Sequence, residues 1–451
     1  LPALCPERTR LVRAPRQGWG RAHAVHTGAL ASEAEALVFL DADMLFFRDH
    51  VEALMRWHHT ADDLAVTGHL RFVEDTSERL SPDEVFEAIA SGTPELLTDA
   101  PGEELAWLRE AYDASRDLRS AGHSVYSYFI GGTGSVRREF YLSCGGMDPE
   151  LVLGEDTHLG FRLAQGGAVF VPETGSSSLH LGRPQMEERK EDGARFRRPF
   201  VGNRLPLSPS VRQSPGRQWQ VPLVDVVVDV GEHRFDDTTA TVDSLLAGDV
   251  SNIRVTLVGH WPRVDAGRHD PLDAPDLHMR LLREHYRCEP RVRTAASPPP
   301  RDPDVPHRLT VRPGHTYARH AVERMIRRID RARAGLLRAT LPGDDLGGPR
   351  LERTAAFARA ERLAGGDDRD AAVARTHGLV WIDARRELLA AQGATTAVPD
   401  DWEQRLEAVR AETDRYRARA DRLSRLCAWL TESRTGRALS GLGTGAKGLT
   451  R

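Results

Sequence analysis

No stretch of this chain reaches the roughly 18 consecutive apolar residues that a membrane-crossing helix needs. Its N-terminus shows no charged-then-apolar secretion signal either. Contact with a membrane is therefore left to basic surface residues, and the expected location is cytoplasmic, extending to the inner face of the membrane. Cysteine is scarce: Cys5, Cys144, Cys288 and Cys427 are the only four in 451 residues, far apart, with no CxxC or metal-type spacing. That excludes a cysteine-built metal site and fits a reducing compartment. An excess of one charge is also missing. A net charge of -4, with 28% of residues charged, gives no reason to expect nucleic acid as a partner. What remains is 40% apolar content, enough for real cores, in a chain long enough for two or three domains.

The most informative stretch is Leu37-Val38-Phe39-Leu40-Asp41-Ala42-Asp43-Met44. Its apolar run reads as a buried strand. The two carboxylates then stand at the carboxyl end, where open α/β sheets place their chemistry. Extension through the run would put Asp41 and Asp43 on one side, about 6–7 Å apart. Such a pair can hold one hard divalent cation and the phosphate it carries.

The other elements follow from pattern. Residues 22–36 read as a helix, 49–59 as a second helix, and 64–73 as a strand. Ser81-Pro82-Asp83-Glu84 is a capping box with proline at the first helical position. Residues 93–121 form a polar insertion, read either as an acceptor-facing lid or as a solvated helix pair. A short aromatic strand at 126–130 leads into Gly131, Gly132 and Gly134, which permit close backbone approach. Glu155 and Asp156 open a helix whose N-terminal amides favour a carboxylate, and 168–172 is a short strand. His180 follows three serines. Asp41 and Asp43, Glu155 and Asp156, and His180 thus converge on one candidate site. Cys144 reads as a small packed residue, and Arg137 and Arg138 as either diphosphate contacts or ordinary surface.

Residues 10 to about 185 resemble the catalytic domain of a family 2 glycosyltransferase with the GT-A fold. The resemblance is carried by Gly28-Ala29, Phe39-Leu40-Asp41-Ala42-Asp43, Gly131-Gly132, Phe140 through Gly145-Gly146-Met147-Asp148, Gly154-Glu155-Asp156, Arg162-Leu163, Gly167 and His180. It implies transfer of a sugar from a nucleotide-diphosphate donor, a UDP-sugar first, to a glycan or small-molecule acceptor, with inversion at the anomeric carbon. It also implies Mn2+ or Mg2+, with Asp43 as the direct ligand, Asp41 near the donor ribose or the metal's waters, and His180 as a further metal or diphosphate ligand. Asp41, Asp43, Gly131 and Gly132 become donor-binding residues. Asp156 becomes the general base, and Glu155 its support or the group that positions the acceptor. The chain departs from the family in two places. His26-Thr27-Gly28 stands where Asn-x-Gly is usual. The opening strand and the acidic residue that grips the nucleotide base have no counterpart, so the leading β-α-β unit is expected to be absent.

In the second half, a strand at 221–230, a helix at 238–246 and a strand at 253–258 give a β-α-β order that looks like a second GT-A domain. Residues 351–360 read as an amphipathic helix and 380–383 as a strand. No Asp-x-Asp follows a buried strand here, and Asp344-Asp345 lies in a glycine-rich turn. The expected class is thus α/β, a Rossmann-like mixed sheet of the GT-A kind, twice. The GT-A catalytic domain spans 1–185, a linker or closing loop 186–220, and a non-catalytic GT-A-like domain 221–395. A charged helix at 396–435, suited to homo-oligomer packing, and a flexible tail at 436–451 complete the chain. Two other readings stay open at this point: a catalytically silent glycan-binding or scaffold protein, and a metal-dependent nucleotidyltransferase.

Overall fold

The computed structural model describes residues 9–390 apart from 16–17, 77, 100–101, 183–188, 208–211, 213–215, 232, 262–275, 342–346 and 365–367. The expected C-terminal helix and tail, Cys5, Cys427 and Asp344-Asp345 lie outside the described residues. Two mixed sheets, each with its own core, belong to one compact unit that runs to Ala391.

The first sheet is assembled from helix α1 (Arg21–Ala31), strands β1 (Ala36–Val38) and β2 (Met44–Phe46), helix α2 (His50–His58), strand β3 (Leu64–Val73), helices α3 (Pro82–Ser91) and α4 (Ala106–Ser115), strand β4 (Gly134–Arg137), helices α5 (Arg138–Ser143) and α6 (Glu155–Gln165), and strand β5 (Val169–Leu181). Its order is β1-β4-β3-β5-β2, with β3 and β5 parallel and every other pair antiparallel. The capping box that opens α3 is complete. The Glu84 N–H donates to Ser81 Oγ at 3.3 Å, and the Ser81 N–H donates back to the Glu84 carboxylate at 2.7 Å.

Three expectations for this half change. The aromatic stretch 126–130 is a 3-10 turn (Val125–Tyr128), because Tyr126 and Phe129 both turn into the core at helical rather than alternating spacing. The chain from 186 to 220 is more than a loop. It contains helix α7 (Lys190–Arg204), fixed at its end by Val201 and Leu205, which are buried one turn apart. The strand expected at 168–172 runs on to Leu181, zipped between β3 on one side and β2 on the other. A register shift between Gly68 and His69 absorbs the extra β5 residues. Gly68 has to be glycine there, since a Cβ would lie 2.4 Å from Thr133 Oγ1.

The second sheet begins with strand β6 (Val224–Asp229) and helix α8 (Phe235–Leu246). It continues through β7 (Ile253–Val258), α9 (Leu277–His285), β8 (Val292–Ala295), β9 (His307–Val311), α10 (Ala321–Arg331) and β10 (Leu336–Thr340). Last come β11 (Arg350–Arg353), α11 (Thr354–Ala364), α12 (Arg369–Thr376), β12 (Leu379–Asp383) and α13 (Ala384–Glu387). Strand order is β12-β10-β11-β9-β6-β7-β8, and β6, β7, β8 and β9 run parallel. Val224, Val226 and Val228 enter one core with Val255, Leu257, Leu309 and Val311. The expected helix over 351–360 begins only at Thr354. Residues 350–353 instead pair with β9 and β10 on both sides, and that hydrogen bonding outweighs their helical pattern. Helix α11 then leans back on the first sheet, where Arg359 pairs with Asp63 and the Arg362 guanidinium donates to the Gly166 carbonyl at 3.0 Å.

Candidate active site

Asp41 and Asp43 do not lie on an extended strand. β1 stops at Val38, and 42–43 form a tight turn in which the Met44 N–H donates to the Asp41 carbonyl at 3.3 Å. The turn brings the two carboxylates to the mouth of β2, and the β2–β5 pairing supplies the third group. Met44 pairs with His180, and the Leu181 N–H donates to the Asp43 carbonyl at 2.8 Å. Ligand atoms of Asp41, Asp43 and His180 all fall within 4.8 Å of one another, with His180 Nε2 3.6 Å from Asp43 Oδ1.

The histidine is set up for this position. Its Nδ1 lies 3.2 Å from the Leu181 carbonyl, which can only accept, so Nδ1 is the donor there and Nε2 is the ring nitrogen that faces Asp43. Phe72, its partner across β3, holds the ring at a centroid distance of 4.8 Å. Two carboxylate oxygens and one imidazole nitrogen suit Mn2+ or Mg2+ rather than a thiophilic metal. Among the described residues this is the only such cluster of three.

Glu155 and Asp156 open α6 behind Gly154, whose φ of 86° suits glycine. They reach the cation cluster through Arg21, which the sequence reading passed over. One arm of its guanidinium lies 2.9 Å from Asp41 Oδ1, the other 2.7 Å from Asp156 Oδ1, and Glu155 is 3.9 Å away. The Arg21 guanidinium also donates to the Gly131 carbonyl at 3.2 Å, while the Gly131 N–H donates to Asp156 Oδ2 at 3.1 Å. A signal for Arg21 existed in the sequence. A cation in the first turn of a helix opposes the helix dipole, so something outside α1 has to hold it there.

The glycine pair makes this approach possible. A Cβ on Gly131 would lie 2.1 Å from Asp156 Oδ1, and one on Gly132 would lie 2.9 Å from Asp41 Oδ2. Gly131→Ala should therefore displace the Asp156 carboxylate. We expect it to lower stability by about 1–3 kcal/mol and to suppress any turnover, read from thermal unfolding and activity on one preparation.

Three carboxylates gather around one guanidinium, and the pKa values respond. Burial raises Glu155 to about 7, reinforced by Asp156 and opposed by Arg21. Burial also raises Asp156, with Arg21 and the Gly131 N–H pulling the other way. Burial works to lower Arg21, but Asp156, Asp41 and Glu155 together lift it. The sign for stability follows for Glu155. Between the usual 4.5 and about 7 the folded chain keeps a proton that the unfolded chain has released, so stability falls as pH rises through this window. Glu155→Gln should match the wild type near pH 4 and exceed it at pH 8 by a margin on the order of 3 kcal/mol, measured by denaturant titration.

The other residues singled out in the sequence serve the scaffold. Arg137 donates to the His58 carbonyl at the end of α2, and Arg138 to the Ala29 and Leu30 carbonyls at the end of α1, so neither is a diphosphate ligand here. Arg162 donates to the Gly145 and Gly146 carbonyls at 3.1 and 3.0 Å, locking the positive-φ turn of Gly145-Gly146. Burial pushes the Cys144 thiol up to about 11, as befits a packed residue. The larger cavities lie away from these carboxylates. One of about 660 Å³ runs along α10 beside α13, and one of about 800 Å³ lies beside Arg301 and Arg308.

Residues 3–126 match the family model described as Glycosyl transferase family 2. The matched stretch includes Arg21, Asp41 and Asp43 and stops short of Gly131, Asp156 and His180. No curated protein matches the chain by sequence. Among solved structures, similarity is found to GalNAc-T7 with UDP, GalNAc and Mn2+, at 15% identity over 44% of this chain and 38% of that one, TM-score 0.24. It is also found to S. aureus TarS 1-349 in complex with UDP-GlcNAc, at 12% identity over 40% and 63%, TM-score 0.25. A third is the mannosyltransferase PcManGT from Pyrobaculum calidifontis in complex with GDP-Man and Mn2+, at 11% identity over 56% and 89%, TM-score 0.26. The first two are thus spanned for less than two thirds of their length, and scores this low locate no residue.

Proposed function

We propose that this chain, whose residues 3–126 carry the family 2 glycosyl transferase match, transfers a sugar from a nucleotide-diphosphate donor to an acceptor hydroxyl with inversion. The observation that carries the reading is the double grip of Arg21 on Asp41 and Asp156. It joins a cation cluster to a half-buried carboxylate base in one place, as displacement at an anomeric carbon requires.

Asp156 takes the proton of the acceptor hydroxyl, and the acceptor oxygen bonds to the anomeric carbon. The bond from that carbon to the β-phosphate oxygen breaks, and the nucleoside diphosphate leaves with the electron pair. A raised pKa makes Asp156 a better base than an ordinary aspartate. Glu155, largely buried next to it, holds a proton near neutrality and limits the repulsion between the two. Asp41, Asp43 and His180 would hold a divalent cation, which supplies positive charge opposite the departing diphosphate. The excess of carboxylates over the single guanidinium leaves a negative site that such a cation balances. Gly131 and Gly132 keep the space between the two halves free of side chains. We read the second sheet as a non-catalytic GT-A-like partner, since no comparable cluster occurs among its described residues.

The test is incubation of the full chain with Mn2+ and a panel of UDP- and GDP-sugars, with and without simple glycoside acceptors. Nucleoside diphosphate release should be seen with at least one donor, and NMR of the product should show the opposite anomeric configuration. Retention of configuration would overturn the mechanism. No release from any donor would leave a glycan-binding protein as the better reading.

A further inference from the structure

Helix α7 rises out of the surface beside this site. Every residue from Arg195 to Phe200 is exposed. Phe196 and Phe200 are 45% and 42% accessible, one turn apart, with rings stacked at a centroid distance of 5.0 Å. Two aromatic rings stacked together in water carry a standing cost. Arg195 and Arg197 flank Phe196, each turned about 100° around the helix from it, and Arg198 follows. None of these three guanidiniums meets a carboxylate among the described residues, whereas Arg189, just before the helix, is paired with Asp192, and Arg204, at its end, with Asp148 and Glu150. The far end of the helix is anchored. Val201 and Leu205 are buried, and a Cβ on Gly154 would lie 2.7 Å from Val201 Cγ2, directly before Glu155.

We propose that α7 is a membrane-docking element, laying Phe196 and Phe200 into the interface of an anionic bilayer with Arg195, Arg197 and Arg198 against the lipid phosphates. The charge pattern selects this partner. Exposed aromatics alone would fit many surfaces, but unpaired cations on both flanks of an aromatic pair need apolar depth and phosphate charge together, which the interface of an anionic bilayer supplies. Docking there places the carboxylate pair of α6 at the bilayer surface, because the buried end of α7 touches Gly154. No helix among the described residues is long and apolar enough to cross a membrane, so the contact is peripheral.

The experiment is co-sedimentation of the full chain with phosphatidylcholine vesicles, with and without about a quarter phosphatidylglycerol. It is independent of any sugar transfer. Binding is expected only to the anionic vesicles, weakening about tenfold between low and high salt. The double variant Phe196→Ala/Phe200→Ala and the triple variant Arg195→Gln/Arg197→Gln/Arg198→Gln should each weaken it at least about tenfold. Both sets of side chains are exposed, so unfolding midpoints should stay at the wild-type value. Equal binding to neutral vesicles, no binding at all, or binding indifferent to both variants would overturn the proposal. So would self-association without vesicles that the phenylalanine variant abolishes, because the patch would then be a protein interface.

Discussion

Asp156→Asn should lower the transfer rate by about a thousandfold and leave donor binding close to wild type. General-base catalysis is typically worth 10²–10⁴, and this position offers no substitute base with equal placement. Glu155 is adjacent, but burial favours its protonated form up to about pH 7. The asparagine keeps the shape of the side chain, and its oxygen can still accept from the Gly131 N–H that Asp156 Oδ2 accepts now. The scaffold should therefore survive, and unfolding midpoints measured alongside will show it. Donor affinity, read by isothermal titration with Mn2+ present, should barely move, because the cation ligands lie on the other arm of Arg21. A variant that keeps full transfer would remove Asp156 from the chemistry. One that loses donor binding as well as rate would mark it as a structural anchor for Arg21.

The second large effect concerns the cation cluster. Asp43→Ala should reduce the transfer rate by about 10²–10³ and weaken Mn2+ binding, while His180→Ala should weaken Mn2+ binding less severely. Asp43 is 53% exposed, so its removal leaves no buried cavity and little folding cost is expected. His180 is more enclosed, with Phe72 against its ring, and its loss should also cost some stability. The readout is the dependence of rate on Mn2+ concentration, checked by direct metal titration monitored by electron paramagnetic resonance. A chelator should abolish wild-type transfer, and added Mn2+ should restore it. An Asp43→Ala protein with unaltered metal dependence would dissolve the cluster as a functional unit, whatever the fate of Asp156.

Much of this site was visible in the chain before any fold was known. The apolar run ending in Asp41 and Asp43 announces a strand end with carboxylates, and Ser81 through Glu84 announces a helix start that the structure completes bond for bond. Strands 64–73 and 253–258 are found at those limits, because in each an apolar-rich stretch has a neighbouring strand to pair with on both sides. The local shape of the Asp41–Asp43 segment was not legible. A tight turn and an extended strand look alike in a three-residue stretch of small and acidic residues, and only the antiparallel return of β2 decides between them.

His180 and Arg21 show where the division falls. The sequence by itself determined the residue types: paired carboxylates after an apolar run, a Glu-Asp at a helix start, glycines between them and a histidine beyond. Those types suffice to name a chemistry, since charge, ligand atoms and the freedom of glycine are local properties. Tertiary structure alone decided that they share one centre. Pro172, Gly175 and a run of three serines give no local reason for a strand to reach His180. β5 reaches it because β2 and β3 offer backbone partners along both edges. Arg21 is unfavourable where it stands in its own helix and makes sense only against Asp41 and Asp156, 20 and 135 positions further along the chain. Pairings between distant segments depend on register and approach, and no local pattern encodes those.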